Sequence, residues 1–259
     1  MTDVRRLYVL LCGFEVLPKT VSTKGRGASI IIASPISAYL LDTEQGWVLL
    51  DTGFDPVHIR DAAAREANFY GQGMSPVVVL PCHELDPQLA ALGLTVGDIG
   101  HVILTHLHFD HAGQVKRFPH AKVSIQRREY EARFDHAVSE GYFQDDYDGP
   151  AVQWSLVEEG DWEVMPGLTM LDTRGHTEGH MSAMVTLPNT GVVVLPFDAG
   201  DLRENFDEEI APGSTVDEPA ALASIRRLKS IVAETDGTMI LFHDPVEIQT
   251  TRLAPDFYD

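Results

Sequence analysis

The chain has 259 residues, 44% of them hydrophobic, with 19 basic against 39 acidic side chains and a formal net charge of −20. That is enough length and apolar content for a sizeable core, and the charge opposes binding to nucleic acid or to an anionic membrane surface. Two cysteines, Cys12 and Cys82, leave no disulfide framework and no thiolate zinc knuckle, and no apolar run is long enough to span a membrane.

The first element is a strand over 5–11. Arg5-Arg6 ahead of Leu7–Leu11 has the look of an export signal, but Glu15 closes the apolar run and no small-residue cleavage site follows. A cytoplasmic protein is therefore expected. Strands follow over 29–33 and 36–41, and Glu44-Gln45-Gly46 turns the chain into Trp47–Leu50 as a hairpin. A helix is predicted over about 56–67 with Pro56 in its first turn, and another from an Asp86 N-cap and Pro87 to Gly93. His101–Thr105 reads as a buried strand. Further strands fall near 121–125, 168–172, 180–187, 191–197 and 239–242. Asp217 caps a helix over 218–234 that carries Ala221, Leu222, Ile225, Leu228 and Val232 on one face. Stretches 17–28 and 135–163 read as loops. The second is rich in aromatics (Tyr142, Phe143, Tyr147, Trp154, Trp162), which fits pocket walls or packing over the core. The alternation of elements predicts one α/β domain over 1–259, with two sheets covered by helices.

The chemistry concentrates in Thr105–His111, where His106, His108, Asp110 and His111 stand within six residues. Just past a strand, His106 and His108 share one side of an extended backbone, while Asp110 and His111 lie in the next turn. That pattern suits two metal ions side by side. His176, Asp198 and His243 each follow a predicted strand and are the further candidate ligands. Imidazole and carboxylate without thiolate suit Zn2+, but also Co2+, Mn2+ or Fe2+. His58, His83, His101, His120 and His136 show no ligand spacing.

These motifs resemble the metallo-β-lactamase superfamily, an αββα sandwich of two mixed β-sheets flanked by helices, with two metals at one sheet edge. Within it the chain is most similar to the N-acyl-homoserine lactonases, the quorum-quenching enzymes. The matching segments are HLHFDHAG at 106–113, GHTEGH at 175–180, Phe197-Asp198-Ala199, SIRRLK at 224–229, and Phe242-His243-Asp244. The resemblance implies one metal on His106, His108 and His176, a second on Asp110, His111 and His243, and Asp198 bridging them. It makes Asp51, in Leu49–Gly53, and His180 supporting residues rather than ligands, and it places Phe109 and Asp201 in the substrate pocket.

The implied activity is the opening of a lactone ring, N-acyl-homoserine lactone first among candidates, by a hydroxide held between two metals. Asp110 would carry the proton to the leaving oxygen. One departure stands out: these lactonases usually carry Tyr three residues after the bridging Asp, and here that position is Asp201. An ionised carboxylate cannot donate a hydrogen bond, so another lactone, a carboxylic ester, a thioester or a phosphotriester is the alternative substrate. A non-hydrolytic metal protein is disfavoured by His108, where flavin-linked diiron relatives usually carry Glu. The expected partners are a small-molecule lactone or ester, no nucleic acid and no membrane, with the chain a monomer or homodimer.

Overall fold

The computed structural model describes residues 2–137 and 140–259. Among these residues eleven strands form two mixed sheets. The first joins β1 (Val4–Pro18), β2 (Ile31–Thr43), β3 (Gly46–Leu50), β4 (Ile99–Ile103), β5 (Lys122–Gln126) and β6 (Gln153–Val157) in that order. The second comprises β7 (Trp162–Met165), β8 (Leu168–Asp172), β9 (Met181–Leu187), β10 (Gly191–Leu195) and β11 (Thr238–Met239), ordered β11-β10-β9-β8-β7. The helices are α1 (Val57–Arg60), α2 (Ala62–Asn68), α3 (Leu85–Ala91), α4 (Phe109–Ala112), α5 (Arg127–Ala132), α6 (Gln144–Tyr147), α7 (Arg203–Glu208) and α8 (Glu218–Thr235).

One contiguous core takes Leu7, Leu10, Leu40, Leu49 and Val102 from the first sheet and Met170, Ala183, Val185 and Val193 from the second. Burying these alternating strand faces drives the two sheets together. A second cluster lies under α8, where Ile225 and Leu228 meet Leu171, Val194, Phe206 and Leu241. Asp217 caps that helix by accepting from the Ala220 amide at 3.1 Å. No helix among the described residues is long and apolar enough to cross a membrane.

Strands β3, β4, β5 and β6 run parallel, so their C-terminal ends fall on one edge. The predicted His101–Thr105 strand is shifted to Ile99–Ile103, which leaves Thr105 and His106 free beyond that edge.

Other expectations are corrected. The first strand extends to Pro18, and 29–33 and 36–41 become one strand through Ser34-Pro35. Proline is tolerated there because β3 pairs with β2 only from Tyr39 to Thr43, so Pro35 lies beyond the stretch where β2 is paired on both edges. The 56–67 helix is broken at Asp61, whose extended backbone and side chain cap α2 through the Ala64 amide at 2.8 Å. Glu84, not Asp86, is the N-cap residue of α3: its backbone is extended and its side chain makes no cap hydrogen bond, while Asp86 lies in the first turn and accepts from Arg117 at 2.6 Å. The 191–197 strand ends at Leu195. The 239–242 strand shrinks to Thr238–Met239, after which the chain leaves the sheet and carries His243 inward. Stretch 135–163 is no simple loop: it contains α6, β6 and the start of β7, while residues 138 and 139 lie outside the described residues.

Candidate metal centre

Seven buried side chains converge at the sheet edge. His106, His108, His176 and Asp198 form one group and Asp110, His111 and His243 another, each residue offering an atom within 4.8 Å of the rest of its group. In the first group His108 Nδ1 lies 2.9 Å from His106 Nε2 and 3.0 Å from His176 Nε2. In the second, Asp110 Oδ2 lies 3.3 Å from His111 Nε2 and 3.4 Å from His243 Nε2. Asp198 reaches both groups. Its Oδ1 is 3.1 Å from His111 Nε2, and its Oδ2 is 3.3 Å from both His176 Nε2 and His243 Nε2.

The far side of most rings is fixed by protein. His176 Nδ1 donates to the Ser214 carbonyl at 2.6 Å and His243 Nδ1 to the Pro35 carbonyl at 2.9 Å. A carbonyl only accepts, so those protons sit on Nδ1 and each Nε2 is left to face the centre. His111 Nδ1 donates to Asp51 Oδ2 at 2.7 Å. Asp51 also accepts from the Thr105 amide and hydroxyl, both at 2.8 Å. It does so from a left-handed backbone with φ 59°, a strain of order 1–3 kcal/mol that surrounding bonds must hold in place. His180 is not in either group. Its Nδ1 faces the Thr173 carbonyl and its Nε2 accepts from the Asp198 amide at 3.1 Å, so it fixes the backbone of Asp198.

Electrostatics separate the two groups. Burial pulls the His106, His108 and His176 imidazoles below their ordinary range. Burial pulls on His111 and His243 as well, but carboxylates outweigh it, Asp198 foremost; His111 is raised and His243 is pushed up to about 10. The buried carboxylates concentrate negative charge around His111 and His243. Converging imidazole nitrogens, buried carboxylates, and His111 Nε2 and Asp198 Oδ1 without hydrogen-bond partners all fit divalent cations. No thiolate takes part: Cys12 is buried elsewhere and Cys82 is exposed.

The remaining predicted site residues separate. Phe109 is buried and stacks on Phe143 at 4.5 Å, with Phe54 and Phe69 at its edges, so its ring belongs to an aromatic cluster. Asp201 is buried, its Oδ1 lacks a partner, and burial and then Asp198 push its carboxyl up to about 7. Histidines 58, 83, 101, 120 and 136 each have protein partners outside the two groups. Gly113 closes the histidine motif because a Cβ there would come within 2.5 Å of the Phe109 carbonyl oxygen and 2.6 Å of the Asp55 amide nitrogen.

Segments of both loop stretches pack against candidate ligands or their supports. The Val21 carbonyl accepts from Gly213 and Ser214, and Lys24 and Arg26 pair with Glu218 and Glu208. That holds the 19–26 segment behind Ser214, the residue that orients His176. From the other side the Tyr142 ring meets the His108 ring edge-on at 4.7 Å, and His136 stacks on Tyr142 at 4.4 Å. Neither Tyr142 nor Glu129, which joins this network, carries a spacing signal that marks it in the sequence.

The family model described as the metallo-beta-lactamase superfamily matches residues 31–243. The chain is 31% identical to an N-acyl homoserine lactonase of Bacillus cereus, covering 98% of this chain and 99% of that protein. It is 32% identical to the N-acyl homoserine lactonase AttM of Azorhizobium caulinodans over the full length of both. Among solved structures, a mutant of AiiA from B. thuringiensis, with N-decanoyl-L-homoserine bound at the active site, aligns over all of both chains with a TM-score of 0.88 at 30% identity.

Proposed function

We infer the activity from the family: the chain belongs to the metallo-β-lactamase superfamily, and it is a metal-dependent hydrolase that opens the ring of N-acyl-homoserine lactones. The observation that carries the reading is the convergence of seven buried imidazoles and carboxylates, in a chain alignable end to end with lactonases. The domain is single, and the ions are a pair of divalent cations, Zn2+ first. His106, His108 and His176 would hold one, Asp110, His111 and His243 the other, with Asp198 facing both groups.

When bound, the two ions supply a water ionised near neutrality and a polarised ester carbonyl. The chain supplies the rest. Asp198 faces both groups, Oδ1 toward His111 and Oδ2 toward His176 and His243, and so sets their spacing. Asp110 turns Oδ2 toward His111 and His243, which leaves Oδ1 to take the proton of the attacking water. As the water oxygen bonds to the carbonyl carbon and the ring C–O bond breaks, Asp110 Oδ1 returns that proton to the leaving oxygen. The product is the open hydroxy acid. The 19–26 and 140–147 segments form the walls along which the acyl chain lies, and Asp201 occupies the position, three residues after Asp198, at which the family resemblance implies a donating tyrosine.

The test is a pH-indicator assay of zinc- or cobalt-loaded protein against short- and long-chain homoserine lactones. Aryl esters, a thioester and a phosphotriester run beside them, with His108→Ala as control. Metal-dependent lactone opening that outpaces the other substrates supports the reading; preferred turnover of another class overturns the substrate. Asp201→Tyr adds one hydrogen-bond donor and is expected to raise lactone kcat/KM by up to about tenfold, the worth of one such bond. No change means Asp201 does not face the reacting carbonyl.

A further inference from the structure

One buried carboxylate ties together the segments that carry the three-imidazole group, and it belongs to neither ion group. Glu129, in the first turn of α5, is 1% exposed. Its Oε1 accepts from the Leu107 amide at 3.1 Å and from the Tyr142 hydroxyl at 3.4 Å. Its Oε2 accepts from the Gly179 amide at 3.0 Å. Leu107 is the residue between His106 and His108, and Gly179 lies three residues after His176. Tyr142 is the residue whose ring lies edge-on against His108.

The approach of the 175–180 loop to α5 is close enough to require glycine. A Cβ on Gly179 would stand 2.5 Å from the Glu129 amide nitrogen and 2.7 Å from its Cβ. The two segments therefore meet at Glu129 and are fastened there, since two backbone N–H groups buried without an acceptor would each cost of order 1–3 kcal/mol.

We propose that Glu129 is a positioning residue that sets the mutual placement of His106, His108 and His176, and so tunes the affinity of that ion group alone. His111 and His243 are oriented instead by Asp51 and by the Pro35 carbonyl, which Glu129 does not touch. The inference rests on the two-ion reading above.

The experiment is a stepwise chelator-competition titration of full-length wild type, Glu129→Gln, Glu129→Asp and His108→Ala with Co2+. Amide hydrogen exchange of the metal-free proteins accompanies it. Glu129→Gln keeps the shape but puts an NH2 where one N–H needs an acceptor. One of its two binding constants should weaken by about 10–100-fold, the range for lost outer support of metal ligands. It should be the constant that His108→Ala abolishes, with the other within about twofold. The Leu107 and Gly179 amides should exchange faster than in wild type, and the Thr105 amide, held by Asp51, should not change. Glu129→Asp, which keeps the carboxylate but shortens its reach, should fall between. Unchanged constants overturn the proposal, as does a parallel loss of both with a fall in Tm, which would mark a structural residue. A wild type that binds fewer than two ions overturns the two-ion reading, and unaltered Leu107 and Gly179 exchange overturns the role of Glu129 separately.

Discussion

The two halves of the centre are built on different principles. The Asp110, His111 and His243 half is anchored in the sheets. Asp51, at the end of β3, holds His111 from behind, and Pro35, within β2, holds His243. Carboxylates surround it and raise its imidazoles against the pull of burial. The His106, His108 and His176 half is assembled from loops. Behind its rings stand neutral groups, the Thr105 hydroxyl, the Tyr142 ring and the Ser214 carbonyl, while Asp198 Oδ2 faces them from inside, 3.3 Å from His176 Nε2. Its imidazoles are all depressed, with burial the leading cause. Both halves face Asp198; the first adds the carboxylates of Asp110 and Asp51, and the second consists otherwise of three imidazoles. Asp198 alone reaches both, and His180 fixes its backbone from the second sheet.

The largest effect expected is from the shared residue. Asp198→Ala should weaken uptake of both ions and cost at least about a thousandfold in turnover, since Lewis-acid stabilisation contributes several kcal/mol to the barrier. Metal content by elemental analysis and kcat/KM check it. Loss of one ion only would mean that the halves are independent and Asp198 serves one of them.

Next comes Asp51→Asn, the counterpart of Glu129→Gln. It replaces a carboxylate that accepts from His111 and Thr105 with an amide that accepts through one atom. Weakening by about 10–100-fold is expected at the sheet-anchored half only. Read in the same chelator titration, the two variants should weaken opposite constants. If both weaken the same constant, the division into halves is wrong.

The smallest effect lies away from the centre and tests whether acid sensitivity belongs to it alone. Burial, and then Lys122, lower the His101 imidazole to about 4 from an ordinary 6.5. The unfolded chain therefore takes up this proton first as pH falls from 6.5 toward 4, and folding loses stability across that window. His101→Gln removes the titration, so its Tm should decline less steeply than that of wild type over the same range. Parallel declines would show that His101 does not contribute.

Much of the site was legible in the sequence because its ligands sit just past strands. Thr105–His111, His176, Asp198 and His243 each follow a run whose apolar character marks a buried strand, and a strand end is a position that local pattern reveals. Asp217 as the cap of α8 was legible for the same reason: capping is a contact three residues long. The strands inside 135–163 were not, because β6 is an edge strand with no fully buried residue and its aromatics mask any alternation. The break at Asp61 was missed because one residue both ends α1, through its backbone amide, and starts α2, through its side chain.

What the sequence determined by itself was the set of candidate imidazoles and carboxylates at strand ends and an α/β domain of two helix-covered sheets, since those follow from residue type and periodicity within a few positions; the αββα class came with the family resemblance. Only the tertiary structure decided which supports stand behind those donors. Glu129 meets Gly179 across 50 residues, Asp51 meets His111 across 60, and His176 meets Ser214 across 38. Such pairs leave no local trace, because a hydrogen bond between distant segments is specified by how the sheets and loops pack rather than by the spacing of the residues that make it.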